Sequence, residues 1–461
     1  MKPENSNLTG LALAVAMGGF LLGFDATVIS GVVPFIQQYF ALNGVAGSLQ
    51  LGWAVSCLGW GAMAGNLGAG LLSDRYGRRA VLRLTAVLFM ASALLASTAT
   101  SFTVFVMARI CGGLGVGAAI LTAPVYIAEI APAGRRGGLV SLNQLMIVIG
   151  ISVSFFSNYF LVGLGTDSWR WMLGVQAGPA LLFLLLLLTR VPESPRWLLD
   201  KGRTSQALAV LTALHGAIAA EQERAEIQQS LRAAAGAVRI RSVFGRRLRF
   251  VLLFALGIAF FQQITGINAI FYYLPTIFAR AGGGLATAFG QSVLVGLVNV
   301  GMTLVAIRLI DRLGRRPLLL VGISGMAVAL LTISWAFHSA PAIPGAVPLV
   351  NAHLVLFAII TFVACFAISL GPVMWVMLSE IFPNEERAAA ISVVGFWNSL
   401  ISASVTLIFP WELARFGPTG TFLGYGLMAL AGLLFLALHA PETKGRTLEE
   451  LERTLLRAPA G

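Results

Sequence analysis

Apolar runs long enough to cross a lipid bilayer recur along the whole of this 461-residue chain. Three of them occupy residues 81–99, 317–337 and 354–370, and each is close to the roughly 20 residues that a helix needs to span the hydrocarbon core. Only helices and closed barrels satisfy every backbone N–H and C=O group in lipid, and the chain lacks the alternating pattern of barrel strands. The sequence therefore predicts an all-α polytopic membrane protein.

Composition and charge agree with this class. Hydrophobic residues make up 57% of the chain and charged residues 11%, whereas soluble domains carry roughly 25% charged residues. The net charge of +12 would suggest nucleic acid in a soluble protein. Here the arginines concentrate in short connectors, as the positive-inside rule predicts for a membrane protein. We therefore expect the protein to lie in a lipid bilayer and not to bind nucleic acid.

Twelve membrane spans are predicted, an even number that places both termini on one side. Their expected bounds are 8–37, 48–72, 80–99, 102–130, 138–162, 170–190, 248–280, 287–311, 316–338, 350–381, 387–411 and 420–440. The connectors fall into two classes, arginine-rich at 73–79, 131–137, 191–247 and 312–316, and uncharged at 38–47, 99–101 and 339–349. Positive connectors stay in the cytoplasm, so both termini are expected there, in a multi-pass protein of the cell (inner or plasma) membrane.

Three charged motifs occur twice, in the same order and with nearly the same offset. Asp74-Arg75-Tyr76-Gly77-Arg78-Arg79 returns 237 residues later as Asp311-Arg312-Leu313-Gly314-Arg315-Arg316, Glu129 with Arg136 returns 251 residues later as Glu380 with Arg387, and Pro192-Glu193-Ser194 returns 249 residues later as Pro441-Glu442-Thr443. These coincidences indicate a duplicated half of about 240 residues. Many transporters are built from a duplicated membrane unit, with the substrate site between the halves. A transporter is the class that this pattern favours.

The duplication predicts four regions. They are an N-terminal six-helix bundle at 1–190, a cytoplasmic linker at 191–247, a C-terminal six-helix bundle at 248–440 and a cytoplasmic tail at 441–461. Ala, Leu, Gln and Glu dominate the linker, which favours short helices over a flexible connection. In the tail, Thr447 and Glu450 have the spacing of a capping box, which predicts another short helix.

No cofactor or metal site is predicted. The four histidines are scattered without metal spacing or a nucleophile beside them, so an enzyme is not expected. The three cysteines lie inside apolar segments and are interpreted as core residues rather than a disulfide framework. The glycines of Gly113-Leu114-Gly115-Val116-Gly117 follow no strand and precede no lysine, which favours close helix packing over a phosphate loop.

Asp25 and Arg109 are charged residues inside predicted spans. A carboxylate near the bilayer centre costs about 3 kcal/mol on insertion scales, so Asp25 is expected to bind a proton or a cationic partner. Arg109 is the candidate partner. Desolvation raises the pKa of a carboxyl group and a neighbouring cation lowers it, so a carboxylate that exchanges one for the other couples to protons. The alternative is a permanent structural ion pair.

A polar stretch from Gln262 to Tyr273 interrupts the seventh predicted span. On a continuous helix, at 100° per residue, Gln262, Asn268 and Tyr273 fall within about a third of a turn of one another. Uncharged amide groups fit a neutral, hydroxyl-rich ligand, whereas an anion would require arginine or lysine. The alternative is that the amides hold membrane helices together. Three other spans each add a polar or aromatic group, namely Gln144, Trp375 and Asn398.

The duplicated charged motifs are interpreted as salt bridges that close an inner gate. The residues are Asp74, Arg78 and Arg79, Glu129 and Arg136, Glu193 and Arg196, and in the second half Asp311, Arg315 and Arg316, with Glu380 and Arg387. Each pair contributes little in water, but a network is able to bias a two-state equilibrium. Solvated loop charges are the alternative interpretation.

With these motifs in view, residues 20 to 450 resemble the sugar porter family of the major facilitator superfamily. The resemblance rests on Gly70 to Arg79, Arg109 and its glycines, Pro124 to Glu129, Pro192 to Leu198, Gln262 to Tyr273, Gly371 to Pro383, and Pro441 to Gly445. It implies two pseudo-symmetric six-helix bundles with a helical cytoplasmic domain between them. It also implies sugar contacts at Gln144, Gln262, Gln263, Asn268, Tyr273, Trp375 and Asn398.

The resemblance favours proton symport, because facilitative animal glucose carriers are similar but have Asn at the position of Asp25. Many relatives have a Trp where this chain has Ser399, so this wall of the expected pocket departs from the family pattern. The expected activity is proton-coupled uptake of a monosaccharide, with a hexose favoured over a pentose or polyol, by a monomeric carrier. A facilitative uniporter is the alternative within transport, and a sugar sensor that no longer transports is the alternative outside it.

Overall fold

The computed structural model describes residues 3–233, 243–340, 350–383, 386–444 and 450, and these residues form helices joined by short connections. Twelve segments among them are long and apolar enough to cross a membrane, as predicted. They are Leu8–Tyr39, Gly44–Tyr76, Arg78–Ser97, Phe102–Ile130, Arg136–Leu164, Ser168–Thr189, Arg246–Tyr272, Leu285–Ile310, Arg315–His338, Ala352–Ile381, Ala389–Arg415 and Gly417–His439.

Within the described ranges, nineteen α-helices have both ends defined, and they are numbered in chain order. They are α1 (Pro3–Tyr39), α2 (Gly44–Tyr76), α3 (Arg78–Ser97), α4 (Phe102–Ile130), α5 (Arg136–Leu161), α6 (Ser168–Gly174), α7 (Ala177–Thr189), α8 (Pro195–Asp200), α9 (Thr204–His215), α10 (Ala217–Ala233), α11 (Arg249–Ile264), α12 (Ile267–Tyr272), α13 (Leu274–Arg280), α14 (Leu285–Leu313), α15 (Arg315–His338), α16 (Ala352–Ile368), α17 (Leu370–Ile381), α18 (Arg387–Arg415) and α19 (Gly417–His439). Short 3-10 turns occupy Ala133–Arg135, Val162–Leu164 and Arg246–Leu248.

The chain divides into two compact units. The first contains Met1–Ile29, Cys57–Ser157 and Leu164–Ala237, and the second contains Ser30–Ser56, Asn158–Gly163 and Val238–Gly461. In the first unit, apolar side chains of α1, α3, α4 and α7 form a buried core that includes Phe89, Tyr126 and Phe183. In the second unit, α15 packs against α16 and α19.

Glycines allow α2 and α4 to pack closely in the first unit. A Cβ atom on Gly61 or Gly65 would lie 2.5 or 2.3 Å from backbone oxygens of α4, and one on Gly113 or Gly117 would lie 2.3 or 2.0 Å from backbone oxygens of α2. Side chains at these four positions would force the helices apart. The glycine-rich run on α4 is therefore a packing surface, as predicted.

The arginine-rich connectors are shorter than predicted, because the charged motifs belong largely to the helices. One glycine separates α2 from α3, and another separates α14 from α15. Gly77 has φ +96° and Gly314 has φ +92°, conformations that favour glycine over residues with a Cβ. The expected connectors at 73–79 and 312–316 are thus sharp single-residue turns.

The linker forms helices α8 to α10, as the composition predicted for residues 195–233. Ser194 caps α8 by accepting a hydrogen bond from the backbone N–H of Trp197. The Trp197 ring joins a small core with Leu198, Leu199 and Ala207. Its indole N–H donates to the backbone oxygen of Asp74 at 3.0 Å, which ties the linker to α2. The tail helix predicted around Thr447 lies, except for residue 450, outside the described residues.

Candidate functional site

Asp25 and Arg109 form a buried ion pair between α1 and α4 in the first unit. Each side chain is only 1% exposed. The Nη1 atom of Arg109 donates to Oδ1 of Asp25, and Nη2 donates to the backbone oxygen of Asp25 at 3.0 Å. The partner that the sequence suggested for Asp25 is the one found.

The second carboxylate oxygen of Asp25 differs from the first in its hydrogen bonding. Oδ2 is buried and accepts no hydrogen bond from the described residues. A Cβ atom on Gly112 would lie 2.7 Å from this oxygen and 2.5 Å from Oγ of Ser92, so a glycine is needed beside it. Oδ2 thus has free lone pairs, while Oδ1 remains against the guanidinium.

A break in the seventh span shapes the polar site of the second unit. The predicted continuous helix over 248–280 is wrong: α11 ends at Ile264, and Gly266 adopts φ +83° before α12 begins. A Cβ atom on Gly266 would lie 2.7 Å from the Tyr425 ring. The positive φ and this close contact explain why the helix breaks at a glycine. Residues 262–273 therefore do not lie on one face of a single helix, because the helix is interrupted at Gly266.

Four amide side chains nevertheless meet in one hydrogen-bonded network. Nε2 of Gln263 donates to Oε1 of Gln262 at 3.2 Å and to Oδ1 of Asn398 at 3.1 Å. Nδ2 of Asn398 donates to Oε1 of Gln262 at 2.7 Å. Nδ2 of Asn268 donates to Oε1 of Gln263 at 2.9 Å. Two residues before the break, one after it and one on α18 thus converge because the chain turns at Gly266.

Two further contacts anchor the network. Nε2 of Gln262 donates to the backbone oxygen of Leu370 at 2.7 Å, at the start of α17. Nδ2 of Asn268 also donates to Oγ of Ser402 at 2.6 Å, on α18. Sequence analysis missed Ser402, although its position four residues after Asn398 places both on one face of a helix. The five side chains of the network carry no formal charge.

The other predicted contact residues are placed as follows. Tyr273 is buried, and its ring centroid lies 5.1 Å from that of Phe409. Trp375, on α17, is 40% exposed. Gln144 lies on α5 in the first unit and is exposed. Ser399 donates its hydroxyl to the backbone oxygen of Gly395 at 2.9 Å.

At the arginine-rich end of the first unit, the charged motifs form one cluster. Arg78 holds Glu129 with three hydrogen bonds of 3.0 to 3.2 Å. Oε1 of Glu193 accepts the backbone N–H groups of Arg78 and Arg79 at 3.0 and 3.1 Å, at the beginning of α3. Ser194 donates its hydroxyl to Glu129 at 2.5 Å. A carboxylate at a helix N-terminus satisfies N–H groups that have no partner within the helix.

The second unit repeats this arrangement. Arg315 binds Glu380 at 2.7 Å. The carboxylate of Glu442 accepts the backbone N–H groups of Arg315 and Arg316, each at 3.1 Å. Thr443 donates its hydroxyl to Glu380 at 2.5 Å. The sequence repeat is therefore also a repeat of hydrogen bonds.

Several of the expected pairings differ from those found. Arg78 pairs with Asp74 at 3.4 Å as expected, although the Asp74 side chain is 78% exposed. Arg136 donates to the backbone oxygen of Ala128, and Arg196 donates to Ser230. Neither pairs with the nearby glutamate, because Glu129 is bound by Arg78 and Glu193 by the start of α3.

The remaining arginines of the motifs also bind backbone oxygens. Arg79 donates to Leu187 and Leu188, and Arg316 donates to Ala437. Arg387 donates to Phe382 rather than to Glu380. The side chain of Asp311 lies outside the described part of the chain.

Glu442 lies outside the membrane spans and has a shifted pKa. Burial raises the pKa of its carboxyl group, but hydrogen bonds from the backbone N–H groups of Lys444, Arg315, Arg316 and Thr443 outweigh this effect. The pKa of Glu442 therefore lies below its usual range. These donors favour the charged form of the carboxylate at the beginning of α15.

Comparison with known proteins identifies the family of this chain. The family described as "Sugar (and other) transporter" matches residues 11–455. The chain belongs to this family. It is 38% identical to the D-xylose-proton symporter of Escherichia coli over 97% of this chain and 96% of that protein. It is 35% identical to the glucose transporter of Staphylococcus epidermidis over 95% of both chains.

Solved structures agree with this assignment. An inward-open conformation of the Escherichia coli xylose transporter matches with a TM-score of 0.83 and 35% identity, covering 97% of this chain and all of that one. The protein is thus an all-α, multi-pass membrane transporter of the major facilitator type and not an enzyme, as the sequence predicted.

Proposed function

We propose that this protein is a proton-coupled monosaccharide symporter that works by alternating access. The amide network of the second unit supports a neutral sugar as the substrate, and the buried carboxylate of the first unit supports a proton as the co-transported ion. The observation that carries the proposal is the Oδ2 atom of Asp25, which is buried beside Arg109 and accepts no hydrogen bond from the described residues.

The sugar part rests on the chemistry of Gln262, Gln263, Asn268 and Asn398. Each amide is both a donor and an acceptor, and so is each sugar hydroxyl. A hydroxyl group is therefore able to replace an amide–amide bond of the network with little net loss of hydrogen bonding. Tyr273 and Trp375 add aromatic surface within the same unit, which suits the apolar faces of a pyranose ring. Gln144 is proposed as the contact from the first unit.

The proton part rests on Asp25 and Arg109. A proton that binds Oδ2 neutralises the carboxylate and weakens its attraction for the guanidinium. Loss of the proton restores the ion pair. One proton that falls through about 150 mV supplies roughly 3.5 kcal/mol. This energy supports a sugar gradient of about 300-fold, at about 1.4 kcal/mol per decade.

The arginine-rich clusters are proposed to face the cytoplasm, together with both termini, in the inner membrane of a bacterial cell. Positive connectors on that side agree with the positive-inside rule. We propose that the clusters around Glu129 and Glu380 stabilise one of the two access states. A monomer is proposed as the functional unit, within a lipid bilayer.

A hexose is the proposed substrate. The similarity to a glucose transporter of Staphylococcus epidermidis supports this choice. The second candidate is a pentose, which the similarity to a D-xylose symporter favours. Purified protein in vesicles, tested with labelled glucose against xylose, galactose, fructose and inositol, ranks these substrates by competition.

The coupling is tested by sugar-induced proton movement. Addition of the preferred sugar to vesicles with no ion gradient is expected to make the external medium more alkaline, because protons enter with the sugar. A protonophore should remove this signal, and in vesicles with an imposed proton gradient it should abolish accumulation. Sugar entry without any alkaline shift would identify a uniporter instead.

A further inference from the structure

An open cleft of about 770 Å³ lies in the first unit, beside the charged cluster around Glu129, and the function proposed above assigns no ligand to it. The end of α4 and the turn before α5 form one side, and helices α8 to α10 of the linker form the other. Its volume is in the range of small-molecule sites, which is about 300–1,000 Å³.

Arginines line both sides of the cleft. Arg135 and Arg136 come from the turn before α5, and Arg196 comes from α8. Arg136 and Arg196 were expected in salt bridges, but among the described residues each donates to a neutral oxygen, at 3.1 and 3.3 Å. A guanidinium has five N–H donors, so most donors of these two side chains remain available.

The linker side carries a buried histidine. The His215 side chain is only 8% exposed, and its Nε2 atom forms no hydrogen bond with the described residues. It lies 3.5 Å from the carboxylate of Glu223, which lines the cleft with Gln222 and Glu226. The ring nitrogen lies within ion-pair distance of Glu223 without a hydrogen bond to it, so it remains able to bond to a ligand group in the cleft.

The arginines and the carboxylates of the cleft would bind different chemical groups of one ligand. The arginines favour a phosphate, which guanidinium groups bind with paired hydrogen bonds. The carboxylates of Glu223 and Glu226 would repel a purely anionic ligand but accept hydrogen bonds from hydroxyl groups. We propose that the cleft binds a polyhydroxylated phosphate ester, with the phosphate on Arg136 and Arg196 and the hydroxyls on the α10 carboxylates.

Such a ligand would join the linker to the turn that precedes α5. Glu129, which also lines the cleft, is held by Arg78 in the charged cluster at the same end of the unit. Occupancy is therefore expected to change the transport rate, as a feedback signal from phosphorylated sugar. This inference rests on the proposed function for the cytoplasmic orientation of the cleft.

Calorimetry on the purified full-length protein tests the site. Glucose 6-phosphate is the soluble probe, in nanodiscs of neutral lipid, with glucose and inorganic phosphate measured separately. Saturable binding is expected for glucose 6-phosphate, at least tenfold tighter than for inorganic phosphate. Arg196→Gln and His215→Gln should each weaken it at least tenfold. Arg224→Gln, which removes an arginine paired with Glu221 outside the cleft lining, should leave it unchanged.

A second arm distinguishes a lipid source of the phosphate. If phosphatidylglycerol in the nanodisc binds with the same dependence on Arg196 and His215 and excludes glucose 6-phosphate, the phosphate-ester site stands with a lipid as its occupant. The proposal is overturned if neither ligand binds, or if Arg196→Gln and His215→Gln leave the binding affinity unchanged. Since no transport is measured, failure here leaves the symport proposal intact, and failure of symport leaves the binding result intact.

Discussion

The two halves agree at their arginine-rich ends and differ in their interiors. The segment Gly23-Phe24-Asp25-Ala26 is matched 243 residues later by Gly266-Ile267-Asn268-Ala269. One half thus has a carboxylate and the other an amide at the same duplicated position. Asp25 lies in an unbroken helix and binds Arg109, whereas Asn268 follows a helix break and binds Gln263.

This difference suggests that the two duplicated units bind different ligands. The terminal clusters are retained in both halves because both need the same sharp turn and the same capping carboxylate. Under the proposed function, the interior positions bind different ligands, a proton in the first half and neutral hydroxyls in the second. A charge in the sugar network, or a neutral residue in place of the carboxylate, should therefore remove one function and leave the fold.

The largest expected effect comes from Arg109→Gln. This change leaves the buried Asp25 carboxylate without its cation, and breaking a buried pair in this way costs about 3–5 kcal/mol. The melting temperature of the purified protein at neutral pH should fall sharply. The double variant with Asp25→Asn should recover most of the loss, and Arg83→Gln serves as a control. Equal losses in the single and double variants would show that the ion pair itself is not the cause.

The second prediction concerns Asn268→Asp, which makes the second half resemble the first. The variant keeps the size of the side chain but replaces the donor that faces Oε1 of Gln263 with an acceptor. Under the proposed function the same donor binds a sugar hydroxyl, and loss of one such bond, about 1.4 kcal/mol, lowers sugar affinity roughly tenfold. Binding of labelled sugar to purified protein measures this. Unaltered affinity would place the substrate elsewhere.

The third prediction compares the two glycine turns. Gly77→Ala and Gly314→Ala each combine a positive φ with a clash, since the new Cβ would lie 2.3 Å from Glu193 and 2.8 Å from Glu442. Each should destabilise the protein by about 1–3 kcal/mol, with Gly77→Ala the more severe. Gly282 has φ +95° but no neighbour within 4 Å, so Gly282→Ala reports the cost of the backbone conformation alone. Equal losses at all three positions would contradict the capping role of the carboxylates.

The smallest expected effect is a dependence on pH at the second cluster. The pKa of Glu442 is lower in the folded protein than the ordinary value of about 4.3. Its stabilisation is therefore complete above that ordinary value and is lost as the pH falls through the lowered, folded pKa. Melting temperatures of the native protein and Glu442→Gln should converge in acid. A constant difference at all pH values would contradict this role.

Much of the fold followed from sequence because hydropathy reports burial in lipid directly. All twelve spans were placed to within a few residues of their observed ends, apart from the seventh, and the helical linker followed from its Ala- and Glu-rich composition. The break at Gly266 was missed because an apolar run looks continuous on a hydropathy scale. The Thr265-Gly266 dipeptide inside a polar stretch was the available signal.

The candidate site was predicted in its residue types more than in its contacts. The predicted partner of Asp25 is confirmed, because Arg109 also lies inside an apolar span and a buried carboxylate needs a cation. The pairing of Glu129 with Arg136 was wrong, because sequence proximity does not show that the end of α4 meets the start of α3. The convergence of Gln262 with Asn398 depends on packing between α11 and α18, which spacing along the chain does not encode.

Accumulation and exchange by Asp25→Asn vesicles test the central claim most directly. The account predicts that labelled sugar still exchanges across the membrane at a rate close to that of the native protein, because the amide network is untouched. It also predicts that an imposed proton gradient no longer drives accumulation. Undiminished, gradient-driven accumulation by this variant would contradict the assignment of Asp25 as the proton-coupling residue.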